Sequence, residues 1–458
     1  MTTPKFQIRQ DDEFVYVDVN VPYVRVSASD FYIEGTFFQF YCRPYFLKLH
    51  LTGEVLDDER TRAVYDVEEN NGTIHVHLPK KTKGETFPDL QMLTKLLSVK
   101  ASVADVASLS DKLTGCSIEV ISSSNSEENQ ANGNGEDYDG EKESVPAGDL
   151  LSSGKSVSNF LGCITYGFNN RYSNFFVGHR GQCDEIVALP QPDQVKQDDR
   201  RAMRTHSEEE DFDLDRYAAD FAYGEEDTLY QAAMACIPFW SSFAREKEGD
   251  GNFDEQEREQ LVHLPRREYL IDEKGTDGFS LLCGLSSILY AYAYDFRLTD
   301  GDPTVESNWT VATVSPLLSW LDEIGDIKHA LTACLRRSLI YPYLRSWKLS
   351  SLVLTDVLQI FSNGKHGILR ALLRVKKIFE TCETRYLLNK LFIDDYCVWI
   401  QGVEEATLDT FWKKLSEVLS SITKGDVDLE LEHIEAQVTA QLRGGDNDDS
   451  SSATNSDN

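Results

Sequence analysis

The chain has 458 residues, of which 41% are hydrophobic and 11% aromatic, enough for two or three domains with sizeable cores. Its charge is one-sided, because 45 Lys and Arg residues stand against 77 Asp and Glu residues, a formal net charge of -32. Such a charge repels phosphates. It therefore argues against direct binding to nucleic acid and favours a basic protein surface as the partner.

The nine cysteines are widely spaced and include no C-x-x-C pair; they are Cys42, Cys116, Cys163, Cys183, Cys236, Cys283, Cys334, Cys382 and Cys397. This pattern predicts neither a zinc module nor the disulfide framework of a small secreted protein. The N-terminal residues form no apolar signal core, and no run of about 18 apolar residues occurs. We therefore expect a reducing compartment, the cytosol or the nucleus, and no membrane span.

Residues 1–97 show the alternation that is typical of half-buried antiparallel strands. In residues 14–21, FVYVDVNV, every second side chain is Val. The same period of two recurs in residues 45–51 and 74–78, and turn signals such as Asn71-Gly72 separate the runs. About seven short strands in this length predict a β-sandwich, followed by a short amphipathic tail at 87–97.

Two segments have the composition of disordered chain. Residues 98–155 contain SSSNSEENQANGNGEDYDGEKES, which is polar, acidic and rich in Gly and Asn. Such a segment buries too little apolar area to offset chain entropy, so we predict a disordered acidic linker. Residues 425–458 are expected to form a C-terminal helix that ends in an acidic disordered tail.

Residues 156–424 are predicted to form one all-α domain. Residues 191–227 are strongly charged, with 13 acids against five bases, and the predicted helices begin after them. Ile368, Leu372, Val375 and Phe379 form a stripe at helical spacing, which indicates a buried helix face. The predicted helices span 229–245, 256–274, 278–297, 303–314, 316–324, 327–340, 343–362, 366–380, 384–401 and 405–423.

Four carboxylates cluster at a predicted helix junction within residues 290–310: Asp295, Asp300, Asp302 and Glu306. Asp300-Gly301 breaks the preceding helix, and Asp302 before Pro303 predicts the N-cap and first residue of the next one. The cluster could be a metal site, a catalytic pair or a solvated surface for a basic partner. Capping and solvation already explain Asp300 and Asp302, so catalysis is disfavoured.

Arg336 and Arg337 are ambiguous. One could be buried in an ion pair with the other exposed, or both could bind a carboxylate of a partner. A structural role is favoured, and both remain candidate partner-binding residues.

The sequence contains no motif that is typical of nucleotide binding or of nucleophilic catalysis. It has neither the phosphate-binding loop G-x-x-x-x-G-K-[ST] nor the nucleophile elbow G-x-S-x-G. His75 and His77 lie on one strand face, but no further metal ligand is evident nearby. We therefore predict a protein that is not an enzyme, with no catalytic residue, metal or cofactor.

Long strings of the chain resemble one family, the Shq-type assembly chaperones of H/ACA ribonucleoproteins. In the helical region these strings are RREYLIDEK at 266–274, YAYDFRLTDGDPTVESNWT within 290–310, SPLLSWL at 315–321, RRSLIYPYLRSWKL at 336–349 and LFIDDYCVWIQ at 391–401. Towards the N-terminus they are PYVRVSASDFYIEGTFFQFYCRPYFLKL and, at 78–97, LPKKTKGETFPDLQMLTKLL. The resemblance covers both predicted folded regions.

The resemblance implies a CS domain, a sandwich like that of small heat-shock proteins, followed by a family-specific helical domain. That domain would hold the free H/ACA pseudouridine synthase (dyskerin in animals) at its RNA-binding surface and keep it soluble and free of RNA. A AAA+ ATPase complex of the pontin and reptin type would release it before RNA loading. The implied localisation is the nucleoplasm, and also the cytoplasm, for a monomer that binds neither nucleic acid nor membrane.

Two other interpretations stay open at the level of sequence. A general CS-domain co-chaperone would use the sandwich to bind a chaperone ATPase such as Hsp90 and the helices as an adaptor. An all-α enzyme would use the carboxylates of 295–306, although no motif supports it. In the interpretation that follows from the family resemblance, acidic side chains of this chain take the place of RNA phosphates on the basic surface of the synthase. The four carboxylates are the first candidates for this role.

Overall fold

The computed structural model describes residues 2–22, 30–42, 44–66, 72–97, 164–179, 181–241, 253–269, 271 and 275–448. The predicted linker at 98–155 lies outside the described residues, as do the last ten residues of the predicted tail. The helix predicted at 229–245 ends at Ala235, and only residues 242–245 of it lie outside the described residues.

The N-terminal region is an antiparallel β-sandwich, as predicted. Its described strands form a four-stranded sheet in the order β1-β2-β7-β6 and a three-stranded sheet in the order β3-β4-β5. The strands are β1 (Lys5–Gln10), β2 (Phe14–Asn20), β3 (Asp30–Glu34), β4 (Phe37–Cys42), β5 (Tyr45–His50), β6 (Arg62–Asp66) and β7 (Thr73–Pro79).

The alternation of the sequence places one face of each inner strand in the sandwich core. Val15, Val17 and Val19 of β2 are fully buried, and Val17 pairs with the buried Val76 of β7. Phe40 of β4, which belongs to the three-stranded sheet, is also buried in the core. Because successive strand residues point to opposite faces, this register leaves the intervening residues of β2 partly exposed.

The C-terminal region is helical. Its α-helices, numbered on from α1 (Leu93–Leu97) at the end of the sandwich region, are α2 (Cys183–Ile186), α3 (Gln197–Asp211), α4 (Leu214–Tyr223), α5 (Thr228–Ala235), α6 (Glu255–His263), α7 (Thr276–Leu298), α8 (Ser307–Val314), α9 (Pro316–Trp320), α10 (Ile327–Ser338), α11 (Trp347–Ser362), α12 (Gly364–Glu380), α13 (Tyr386–Leu388), α14 (Asp394–Gly402), α15 (Glu405–Leu419) and α16 (Leu431–Asp448). A π-helical turn, Asn389–Ile393, joins α13 to α14. Shorter 3-10 turns are Phe168–Asn170, Phe175–His179, Gly224–Glu226, Phe239–Ser241 and Lys424–Val427.

Helices α5, α8, α9, α10, α11 and α12 pack around α7. Residues 281–297 of this helix are all buried. The helix is therefore covered by protein on all sides, unlike an amphipathic helix, which buries only one face. Its buried polar groups are satisfied internally: Ser287 donates to the carbonyl of Gly284 at 2.7 Å, and Tyr290 donates to the carbonyl of Ser350 at 3.1 Å. The stripe predicted from Ile368 to Phe379 lies in α12 and is fully buried.

Several predictions about helices are wrong. The helix predicted at 256–274 ends at His263, and residues 264–269 are not helical. The charged segment 191–227 contains α3 and α4, because α3 turns a charged face inward rather than an apolar one. The helix predicted to start at Pro303 starts at Ser307, after a turn that spans 299–306. The predicted break at Asp300-Gly301 is present, since α7 ends at Leu298 and both residues have positive φ.

The amphipathic tail at 87–97 packs the sandwich region against the helical region. Helix α1 contacts β5 on one side and α6 and α14 on the other. The hydroxyl of Thr94 donates to the carbonyl of Leu261 at 2.6 Å, and Lys365 reaches Asp89 at 3.3 Å. The two regions therefore share one buried contact surface.

The helical core extends past residue 424. Val427, Leu429, Leu431 and Ile434 are buried, and α16 packs on α4. Helix α16 runs to Asp448, so it includes the first acidic residues of the segment that was predicted to be a disordered tail.

Candidate partner-binding site

The loop between α7 and α8, residues 299–306, is joined to both flanking helices by hydrogen bonds; we call it the acidic loop. Gly301 has φ of +78°, and a Cβ atom there would lie 2.6 Å from the ring of Phe296. Only glycine combines this backbone conformation with so close an approach. The carbonyl of Phe296 accepts a hydrogen bond from the amide of Gly301 at 2.9 Å, which ends the helix.

The other end of the acidic loop is fixed by hydrogen bonds around Ser307. The amide of Thr304 donates to the Ser307 hydroxyl at 2.9 Å, and the amide of Ser307 donates to the Thr304 carbonyl at 3.1 Å. Asn308 donates to the carbonyl of Val305 at 2.6 Å and accepts from Arg385 at 2.7 Å. The side chains of the loop are thus carried by an ordered backbone.

Three of the four predicted carboxylates project from this loop. Asp300, Asp302 and Glu306 are exposed, and their contact with a partner stays a prediction. Val305 lies between them in sequence and is 84% exposed. An aliphatic side chain within a set of carboxylates fits a surface that is basic and partly apolar.

Asp295, the fourth predicted carboxylate, does not belong to this surface. It is 2% exposed and sits on the last turn of α7, where Ser307 donates a hydrogen bond to it. Burial raises the pKa of Asp295 to about 7, and the hydrogen bond from Ser307 opposes that rise. The residue ties α7 to the start of α8, so its proposed contact with a partner is wrong for this structure.

Arg336 and Arg337 are also inside the protein. Both are buried on the last turn of α10 and point at the carboxylate of Glu208, at 3.1 Å and 2.8 Å respectively. Arg336 also donates to the carbonyl of Val427 at 2.8 Å, and Arg337 lies over the ring of Tyr341. Both arginines are buried, so the alternative of one buried and one exposed arginine does not hold, and the contacts of both are structural.

The sequence interpretation missed the other members of this ion cluster. Glu208 also accepts from Arg204 of its own helix at 2.9 Å, and Arg204 reaches Asp322 at 3.2 Å. Arg200, Arg204 and Glu208 recur every four residues, which places them on one helix face. This spacing was the signal in the sequence for a buried helix face. It was missed because buried helix faces are usually apolar, whereas these positions are charged.

The described residue ranges contain neither a metal-binding cluster nor a helix that could span a membrane. There, no group of three or more His, Cys, Asp or Glu side chains is placed to hold a metal ion. His75 instead contacts Asp18 at 2.7 Å. None of the helices in those ranges is both long and apolar enough to cross a membrane.

The fold and the loop together define a class of protein: a CS-type sandwich that is packed on a helical domain with an ordered acidic loop. Residues 3–97 match the family model described as SHQ1-like, CS domain. Residues 242–431 match the model described as SHQ1 protein, Shq1 domain. The chain belongs to the SHQ1 family.

Several curated relatives are similar over nearly the whole chain. Protein shq1 of Schizosaccharomyces pombe is 35% identical, over 98% of this chain and 99% of its own length. The SHQ1 homologue of Mus musculus is 33% identical over 95% of this chain and 75% of its own length. The Xenopus tropicalis homologue is also 33% identical, over 95% of this chain and 69% of its own. This membership supports a general role as an H/ACA ribonucleoprotein assembly chaperone.

Proposed function

We propose that this protein binds the free H/ACA pseudouridine synthase, of the dyskerin type, at its RNA-binding surface and keeps it soluble and free of RNA. The acidic loop is the observation that carries this proposal. Asp300, Asp302 and Glu306 are exposed on an ordered backbone in a chain of net charge -32. A surface that is built to hold RNA is basic, so carboxylates at this loop take the place of phosphates.

The proposal also includes how this protein is released from the synthase and where in the cell it acts. A AAA+ ATPase complex of the pontin and reptin type removes the protein before RNA is loaded. The protein acts in the nucleoplasm and is also present in the cytoplasm. It works through binding alone, without catalytic residues or a cofactor.

The test is a titration of the full chain with the purified synthase, using isothermal titration calorimetry. The full chain is required because α1 covers part of the helical region and α16 completes its core. In one variant, Asp300→Lys, Asp302→Lys and Glu306→Lys are combined. Reversed charges against a basic surface are repelled, so we expect Kd to rise by at least about tenfold.

A matched control carries the same charge change elsewhere. Glu209→Lys, Glu417→Lys and Glu432→Lys replace three exposed carboxylates on α3, α15 and α16. This variant should keep most of the affinity, and circular dichroism should show that both variants are folded. Equal losses in the two variants would mean that only net charge matters and that the acidic loop is not the site.

A second measurement tests the occupied surface. H/ACA guide RNA is added to the preformed complex, and the fraction of chain still bound is measured by size exclusion. Competition by RNA is expected if both ligands use one surface. Binding that ignores RNA would keep the partner but remove the mimicry. Absence of binding to the synthase would leave the general co-chaperone as the better interpretation.

A further inference from the structure

A groove lies on the helical region beside α4, the Gly224–Glu226 turn and residues 343–348; we call it the α4 groove. Its cavity measures about 230 Å³. The residues that matter for its chemistry are Arg216, Phe221, Tyr343, Arg345 and Trp347, which all line it. No part of the acidic loop lines it, so the groove is a separate feature.

Arg345 is the buried charge of the α4 groove. It is 6% exposed, and its Nε donates to the carbonyl of Ile340 at 2.9 Å. Its Nη1 reaches Asp220 at 3.4 Å, which is a long contact for an ion pair. Its Nη2 makes no hydrogen bond with any described residue, and it is not sealed from solvent. One face of the guanidinium is therefore available to a ligand in the groove.

A second cation strengthens this imbalance. Arg216 is exposed and has no hydrogen-bonded or ion-pair partner for its side chain among the described residues. Burial and the positive charge of Arg216 lower the pKa of Arg345, while Asp220 opposes them. Among the described residues, Arg345 thus has one carboxylate partner at long distance and Arg216 has none, which favours the binding of a further anion.

The other charged groups of the groove each have an ion-pair or hydrogen-bond partner. Lys348 binds Glu225 and Lys424 binds Glu435. Asp227 caps α5 through the amide of Leu229 at 2.7 Å. The lining therefore carries four cations and four carboxylates, and Arg216 is the one cation among them with no partner in the described part of the chain.

Aromatic rings flank these arginines. Tyr343 is 62% exposed, Phe221 is exposed and Trp347 is half-buried. Large aromatic side chains that remain open to solvent next to Arg are the residues that most often dominate binding energy in interfaces. They offer apolar contact at the same place where the guanidinium groups offer hydrogen-bond donors.

We propose that the α4 groove binds a peptide segment of a partner protein, in which a carboxylate contacts Arg345 and Arg216 and a neighbouring aromatic or aliphatic side chain packs on Tyr343 and Phe221. This goes beyond the proposed function, because the groove selects an acidic ligand whereas the acidic loop selects a basic one. The two sites lie at opposite ends of α5. Asp227 at its start lines the groove, and Cys236 at its end hydrogen-bonds Asp300. Eight residues of helix separate them by about 12 Å.

The experiment starts from a random 12-residue peptide library displayed on phage and selected on the full chain. We expect the selected peptides to share an Asp or Glu next to an aromatic or aliphatic residue. The most enriched peptide is then synthesised with fluorescein, and its Kd is measured by fluorescence anisotropy. Arg216→Ala and Tyr343→Ala should each raise Kd about fivefold or more, because both side chains are exposed, and the only hydrogen bond that either side chain loses within the chain is the one from the Tyr343 hydroxyl to Asp227 at 3.3 Å.

Further variants separate the groove from other effects. Arg345→Met keeps an unbranched apolar stem and should raise Kd at least tenfold, and thermal unfolding reports whether that variant is folded. Lys413→Ala and Tyr32→Ala change an exposed cation and an exposed tyrosine outside the groove, and should leave Kd unchanged. Selection of basic peptides, absence of a consensus, or affinity that is indifferent to Arg216 and Tyr343 would overturn the proposal.

Discussion

At the scale of single residues, identical side chains have opposite roles according to whether they are buried. Asp295 and Asp300 are five positions apart, yet the first is inside the helix junction and the second is exposed on the acidic loop. Arg337 is buried against Glu208, whereas Arg216 is exposed without an ion-pair partner in the part of the chain that the structure describes. Burial, rather than residue type, decides which of these charges can meet a partner.

Asp295 should make the stability of the protein fall as pH rises. With a pKa of about 7 in the folded state against an ordinary value of 3.8, the folded chain binds a proton between these values that the unfolded chain does not. The free energy of unfolding therefore decreases from about pH 4 to about pH 7. Asp295→Asn removes the titrating group, so this variant should exceed the wild type at pH 8 by up to roughly 4 kcal/mol.

Urea unfolding of both proteins at pH 5 and pH 8 measures this difference. Asp302→Asn changes an exposed aspartate of the acidic loop and is the control, with little change expected at either pH. A gap between wild type and Asp295→Asn that is the same at both pH values would contradict the predicted titration.

Glu208 should be among the most sensitive single positions for stability. Its carboxylate is the shared partner of Arg204, Arg336 and Arg337, all of which are buried. Glu208→Gln leaves three buried cations without that partner, which should cost about 3–5 kcal/mol of unfolding free energy. Thermal unfolding measures the loss. Glu209→Gln, an exposed neighbour on the same helix, should be close to neutral, and an equal effect of the two would refute the role of the cluster.

At the scale of elements, helix ends determine how the two regions meet. The carbonyl of Leu261 lies in the last turn of α6, and the residue four positions later is Pro265, which has no amide proton to donate. The hydroxyl of Thr94 on α1 satisfies this carbonyl instead. A hydrogen bond between the sandwich region and the helical region thus completes the end of a helix.

Thr94→Val should therefore weaken the contact between the two regions. The change keeps the shape of the side chain but leaves the Leu261 carbonyl without its donor, a loss of about 1–3 kcal/mol. Hydrogen exchange followed by mass spectrometry should show faster exchange in both α1 and α6. Thr410→Val is the control, because that exposed threonine bonds only within its own helix. Unchanged exchange in α6 would show that the bond is not needed there.

At the scale of the whole molecule, charge should govern how fast the protein meets the pseudouridine synthase that is proposed as its partner. A net charge of -32 attracts a basic surface over a distance that salt shortens to about 10 Å at 0.1 M. In stopped-flow measurements, we expect the association rate to fall about tenfold or more between 50 mM and 300 mM NaCl. The variant with three lysines in the acidic loop should show a weaker dependence than the control with lysines at 209, 417 and 432. Rates that do not respond to salt would exclude electrostatic steering.

The amino-acid sequence by itself determined the features that depend on local period. Alternating valines in β2 and the stripe from Ile368 to Phe379 predicted buried faces, and both are buried, because side-chain direction follows from neighbouring residues alone. The Asp300-Gly301 break was equally local, since it rests on the backbone freedom of two residues. The family resemblance also came from the sequence, and the family models confirm it.

Only the tertiary structure decided which charged side chains are buried and which partners they contact. Glu208 and Arg337 are separated by 129 positions, and nothing in the sequence near either residue identifies the other. The same applies to Arg345 with Asp220 and to Thr94 with Leu261, whose contacts exist because separate elements pack together. Electrostatic energy depends on distance and burial in three dimensions, and these are properties of the folded chain.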